Sequence, residues 1–341
     1  MSRRMDSRSD EDDVRVRASR HGSRPRTRTR PAHDEAVPGL VVAVDRGRMT
    51  VRVEGPDGAP VDVTTMRARE LGKHGVVVGD RVRVVGDTTG RTDSLARIVT
   101  IADRVTSLRR TADDTDPTER IVVANADLLV VVTSVADPDP ALGFLDRCLV
   151  AAYAGGLAPL LCLTKADLAD PAPFVAQYTD LELPVLVLRR DEPDRIAALA
   201  DALAGRVSAL VGHSGVGKTT LVNALVPDAY GRVGQVSGVG KGRHTTVAAL
   251  ALPLPADRGG WVIDTPGVRS FGLAHVTPNG VLAAFDDLAA AIEDCPRGCG
   301  HLGPPADPEC ALDVLVAAGQ LPPGRLGALR RVLVALRTPA W

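Results

Sequence analysis

The run Gly212-His213-Ser214-Gly215-Val216-Gly217-Lys218-Thr219 fits the pattern G-x-x-x-x-G-K-[ST], and a second threonine, Thr220, stands directly behind it. Each residue type has a task if the ligand is a polyphosphate. Glycines let successive backbone N–H groups curl around a β-phosphate, Lys218 brings a point charge to the β and γ oxygens, and the Thr219 hydroxyl is a ligand for Mg²⁺. A strand-like VSALV precedes the loop and a helix-like TLVNALV follows it, which is the context the phosphate reading requires. Downstream, Trp261-Val262-Ile263-Asp264-Thr265-Pro266-Gly267 puts an acid at the end of an apolar strand, before a turn. Asp264 is placed there to hold the magnesium through water, and the Gly267 N–H to sense a γ-phosphate. Between the two lies GRVGQVSGVGKGRHTT, whose permissive backbone suits a switch that orders around Mg²⁺ and γ-phosphate, with Thr245 and Thr246 at its end.

A loop that reads guanine typically runs Asn-Lys-x-Asp after an apolar strand, with the Asp accepting from N–H groups of the base. Here Thr164-Lys165-Ala166-Asp167 follows Leu161-Cys162-Leu163, and it precedes the phosphate loop instead of following it. A βαβ sheet tolerates that reordering, because strand neighbours rather than chain order build the site and chain ends of compact domains lie close together. In this order the DTPG segment leads straight into the C-terminal part of the chain, so a change at Asp264 is expected to pull on that part. That part contains Cys295-x₃-Cys299-x-His301-x₈-Cys310 in a Pro/Gly-rich stretch. Three thiolates and one imidazole make a full tetrahedral complement with no open position, the signature of one structural Zn²⁺ per chain. Cys148 and Cys162, in helix-like and strand-like stretches, read as core.

The elements that must position these groups are visible in the texture of the chain. Residues 1–37 alternate Arg with Ser, Thr, Asp and Pro, too polar to fill a core, and read as a disordered tail. From 38 to 104, short Val-rich segments alternate with turn signals, the pattern of a small antiparallel barrel of the OB type. No Phe, Trp or Tyr lies between Pro38 and Asp103, so any RNA contact there goes to backbone and shape, with Arg46, Arg48, Arg52, Arg67, Arg69 and Lys73 as candidates. From 105 to 273, apolar strands alternate with helical stretches, the rhythm of a parallel α/β sheet. The remainder, 274–341, reads as mainly helical around the Cys/His loop. The chain's 341 residues suit a multidomain protein, and its formal net charge of -1 excludes a global field for nucleic acid. Its first residues lack a signal-peptide core and no apolar run is long enough to span a bilayer, so a cytoplasmic protein is expected.

Taken together, TKAD, GHSGVGKTT, GRHTT and DTPG in this order, after a small barrel and before a Cys/His cluster, resemble the ribosome small-subunit-dependent GTPase family (RsgA/YjeQ). The resemblance covers roughly residues 38–341. It implies an OB-fold, a circularly permuted α/β P-loop GTPase domain and a mainly α zinc-binding C-terminal domain. It also implies hydrolysis of GTP to GDP, stimulated by the small ribosomal subunit during late 30S assembly. The implied partners are that subunit and its rRNA, together with other assembly factors; a monomer with no membrane association is expected. Where many GTPases orient water with a glutamine after DTPG, this chain has Val268, a side chain unable to do so; His244, in the match to the family's G-x-H-T-T motif, is the candidate to replace it. Three features depart from the family pattern. The base-reading Asn is Thr164, Arg189 and Arg190 stand where a Ser-Ala pair is usual, and the metal spacing is shorter at the first gap and longer at the last. Asp167 keeps the bidentate acceptor, so GTP over ATP is the expectation. A P-loop kinase and a nucleotide-dependent RNA-binding factor with negligible hydrolysis are the competing readings.

Overall fold

The computed structural model describes residues 33–45, 47–72, 75–91, 94–110, 120–192, 194–227, 229, 249–266, 273 and 275–337. The tail, the predicted switch with His244, Thr245 and Thr246, and Gly267 with Val268 lie outside the described residues, as do Arg46 and Lys73.

Strands β1 (Val37–Asp45), β2 (Arg48–Glu54), β3 (Pro60–Arg67), β4 (Arg81–Gly86) and β5 (Ala96–Ile101) form the expected barrel. Strict alternation drives it. In β2, Met49, Val51 and Val53 point inward while Arg48, Thr50 and Arg52 point out. Pairing runs β1–β2–β3–β5–β4 and closes through β1–β4, with β3 and β5 parallel. Closure removes the free edges of a five-stranded sheet, and the lumen is filled by aliphatic side chains including Val41, Val51, Val63, Val84 and Ile98. Arg52, one of the arginines considered for RNA, is paired to Asp62 at 2.7 Å by both Nε and Nη2, and its guanidinium lies 5.2 Å over the Trp261 ring.

The chain then forms a two-stranded hairpin, β6 (Ser107–Arg110) with β7 (Arg120–Ala124), before entering the main sheet. Strands β8 (Leu128–Ser134), β9 (Ala158–Thr164), β10 (Val185–Val187), β11 (Val207–Val211), β12 (Leu250–Pro253) and β13 (Trp261–Asp264) lie in the order β10-β9-β8-β11-β13-β12. All but β12 are parallel. Continuous apolar runs suit strands buried on both faces. In β8, Leu128, Val130 and Val132 pack with Leu199, Leu203 and Leu221 on one face. Leu129 and Val131 pack with Leu145, Leu149 and Tyr178 on the other. The helix Leu142–Gly155 that follows β8 ends at Gly156, whose left-handed φ of 73° lets its N–H reach the Ala152 and Tyr153 carbonyls.

At the far edge β12 also pairs with barrel strand β1, Ala43 opposite Leu250, so barrel and parallel sheet form one eleven-stranded surface. The C-terminal helices Pro278–Leu282, Ala311–Ala317 and Pro323–Val334 bury Val281, Leu282, Leu312, Leu329 and Val332 in the same cluster as Leu145 and Leu149. Buried polar contacts fix that packing: Arg147 donates to the Ala335 carbonyl at 2.9 Å, and Tyr178 Oη to Asp146 at 3.1 Å. Burial holds the Asp146 carboxyl above its usual range, against the opposing pull of Arg331. No helix among the described residues is long and apolar enough to cross a membrane.

Candidate nucleotide and metal sites

Because β8, β9, β11 and β13 are parallel, the segments that leave their C-terminal ends meet at one edge of the sheet, where ligands of such sheets bind. The phosphate loop leaves β11 and turns into the helix Lys218–Leu225. Gly215 and Gly217 sit at φ 85° and 93°, positions that L side chains rarely adopt. At Gly212 a Cβ would stand 2.5 Å from the Val132 carbonyl oxygen, so only glycine lets the loop pass that close to β8. Val216 is buried and anchors the loop, whereas Ser214, Gly215 and Thr220 are exposed and Thr219 is half-buried on the first helical turn. His213 packs its ring against Phe144 with centroids 4.1 Å apart, and burial lowers its pKa, favouring the neutral imidazole.

Register places Asp264, the last residue of β13, beside Leu210 of β11. Its carboxylate is fully buried and pairs with Lys218 Nζ at 2.9 Å; the same ammonium donates to the Thr265 carbonyl. Thr265 is tied back to β11 through Oγ1 to the Leu210 carbonyl, 2.7 Å. Lysine and acid, separated in sequence, thus meet beneath the loop.

The base-loop candidates arrive from β9. Thr164 is buried and its hydroxyl donates to the Val216 carbonyl at 2.6 Å, with the Thr133 carbonyl at 3.2 Å. The residue standing in place of the usual Asn therefore bolts the base loop to the phosphate loop. Lys165, at φ 57°, sends its ammonium to the Asp137 carbonyl. Asp167 is exposed, with Oδ1 3.4 Å from the Arg190 backbone N–H. The Arg189-Arg190 segment is itself laid against the base loop by Leu188 N–H to Leu163 O at 2.7 Å and Ala166 N–H to Leu188 O at 3.2 Å. One wall of the site escaped the sequence reading: the loop after β8, where Ser134 Oγ donates to the Pro138 carbonyl at 2.7 Å and Pro138 approaches Gly215. Its contacts are largely to backbone, so no side-chain pattern announced it.

The Cys/His cluster also assembles as its spacing predicts. The ligand atoms of Cys295, Cys299, His301 and Cys310 all lie within 4.8 Å of one another, and His301 and Cys310 are buried. His301 Nδ1 faces Cys295 Sγ at 3.4 Å and Cys310 Sγ at 3.9 Å. Separations of that size suit donors placed about 2.0–2.3 Å from a common tetrahedral centre, and the S₃N donor set fits zinc. Backbone N–H groups of Ala311 and His301 point at the Cys295 and Cys299 sulfurs, 3.3 and 3.4 Å away. Asp307 folds the loop by accepting from Gly300 and Leu302 N–H at 2.9 Å each, and those two bonds hold its carboxyl below the usual range. Cys148 and Cys162 are fully buried core residues, as read from the sequence, and burial pushes the Cys162 thiol up to about 12.

Comparison with known proteins bears on this geometry directly. A model of the RsgA GTPase family matches residues 101–274. A small ribosomal subunit biogenesis GTPase RsgA of Pseudomonas syringae pv. tomato is 37% identical over 306 residues, 87% of this chain and 85% of that protein. The chain belongs to the RsgA GTPase family. A further RsgA, from Gemmatimonas aurantiaca, is 39% identical over 255 residues, 73% of this chain and 81% of its own length. Two solved structures share the fold seen here. YloQ, described as a circularly permuted GTPase, superposes with a TM-score of 0.62 at 23% identity and covers 92% of this chain and 100% of its own. YjeQ from Thermotoga maritima superposes at 0.60 with 26% identity, 89% of this chain and 99% of its own.

Proposed function

We propose that this chain hydrolyses GTP to GDP and phosphate as a small-subunit biogenesis factor, stimulated by the small ribosomal subunit and its rRNA in late 30S maturation. The observation that carries the proposal is the convergence of three loops at one sheet edge in permuted chain order, with Thr164 bonded to Val216 and Lys218 to Asp264. The N–H groups of Gly212, His213, Ser214, Gly215, Val216 and Gly217 would cradle the phosphates, and Thr220 would line the same turn. Lys218 would neutralise the charge that grows on the β–γ bridge. Bound Mg²⁺, held by Thr219 and through water by Asp264, would draw charge from the β and γ oxygens. Gly267, Thr245 and Thr246 complete the triphosphate sensor in this reading, and Asp167, with Lys165 beside it, reads guanine.

His244 orients the attacking water. The test is phosphate release from GTP with and without purified small subunits: strong stimulation supports the proposal, and none sinks it. His244→Ala is expected to bind nucleotide normally and to lose the stimulated turnover; unchanged turnover would remove His244 from the mechanism. The Cys/His group holds one structural Zn²⁺. Residues 38–104, 105–273 and 274–341 are taken as the domain bounds of a cytoplasmic monomer that works with other assembly factors away from membranes.

A further inference from the structure

His301 is fixed at points that the thiolates do not supply. Its backbone lies at φ 57°, its carbonyl accepts from Arg330 Nε at 3.0 Å, and its ring Nε2 stands 2.8 Å from Asn279 Oδ1. An amide oxygen only accepts, so that contact requires the ring proton on Nε2. The lone pair of the neutral ring is then on Nδ1, the nitrogen that faces Cys295 and Cys310.

Asn279 does not belong to the Cys/His loop. It sits on the helix Pro278–Leu282, which is capped by the Thr277 hydroxyl accepting from Gly280 N–H and anchored by the fully buried Val281 and Leu282. The amide is therefore presented to the ring from a support built independently of the metal.

We propose that Asn279 is the positioning residue of the metal-binding imidazole. It selects the tautomer with Nδ1 free and aims that nitrogen at the three sulfurs. Ring N–H groups of metal-bound histidines commonly donate to a carboxylate or carbonyl. Here a neutral amide does the work, which orients the ring without adding negative charge beside three thiolates. The contact also ties the cluster to the helix that comes soon after the DTPG segment.

This inference rests on the zinc reading of the cluster, and the experiment separates the two. In full-length, zinc-loaded protein with ¹⁵N-labelled histidine, long-range ¹H–¹⁵N spectra are expected to show His301 protonated at Nε2 and metal-bound at Nδ1. Competition with a chromophoric zinc chelator is expected to show Asn279→Ala binding zinc about 10-fold more weakly, the low end of such effects because Asn279 is exposed. Asn279→Asp, which keeps the acceptor, is expected to restore affinity to near wild type. Metal on Nε2, or an Asn279→Ala protein that binds as tightly as wild type, overturns the inference. If Asn279→Ala fails to fold, the wild-type spectrum still decides. A wild-type protein that takes up no zinc defeats the zinc reading instead.

Discussion

The phosphate-loop cluster gathers residues from the ends of four parallel strands, Ser134, Thr164, Val211 and Asp264, whereas the Cys/His group takes all four ligands from one stretch, Cys295–Cys310. The first is held by the sheet: its loops are bolted by hydrogen bonds between segments far apart in sequence, and the apolar layers on both faces of the sheet fix those ends. The second is local, and few apolar side chains lie within the loop itself. Nucleotide therefore enters a frame that exists without it, while metal is part of what makes its own loop fold.

Variants can break that contrast. Lys218→Ala has the largest expected effect, since it removes the phosphate charge and breaks the ion pair to the buried Asp264 carboxylate. Turnover should fall at least about 100-fold, and stability without nucleotide by about 3–5 kcal/mol in urea unfolding. Zinc removal by a strong chelator should lower Tm on the order of 5 °C, roughly 3–5 kcal/mol for a protein of this size. Hydrogen exchange should rise across 290–320 while β8 and β11 stay protected; equal loss of protection in both regions would mean the two sites are not built on separate plans.

Smaller changes sharpen it. Thr164→Val deletes the hydroxyl that joins base loop to phosphate loop and strands the buried Val216 carbonyl, at a cost of about 1–2 kcal/mol, or roughly a 10-fold rise in GDP Kd by titration. Thr164→Ser should keep wild-type affinity; if it does not, the hydroxyl is not the operative group. The smallest effect belongs to Arg52→Ala. It loses the Asp62 ion pair and the contact over Trp261, together about 1 kcal/mol at a half-buried site, and a denaturation midpoint unchanged within error would show both contacts to be inert.

The same contrast governs what could be read from the sequence. Motifs fixed by chemistry, GHSGVGKTT, DTPG, TKAD and the Cys/His spacing, announced their loops, and period-two alternation announced the barrel. What depended on distant partners did not appear. The apolar run IVVANADLLVVVTSV contains no Pro or Gly to break it, yet the structure divides it into β7 and β8 at Asn125, which turns at φ 54°. The Asn125 amide donates to the Gly79 carbonyl at 2.9 Å and accepts from Val105 N–H at the same distance, partners that no local pattern specifies. Thr164 shows the opposite failure. In the sequence it stands only as a departure from the Asn pattern, and the Val216 contact gives its structural use. Asn279 carried no signal at all, a lone asparagine in a polar stretch.

The pairing of Ala43 with Leu250 has a consequence for how the chain is made. Proteins emerge from the N-terminus at about 5–20 residues per second, so the barrel is complete for roughly 8–30 s before β12 exists. When β12 arrives it finds β1 already in place, and an edge that would otherwise offer unpaired N–H and C=O groups to other nascent chains is covered at once. The barrel is thus a built-in template for the last-formed side of the nucleotide sheet, and a chain expressed without it should be prone to aggregate from that edge.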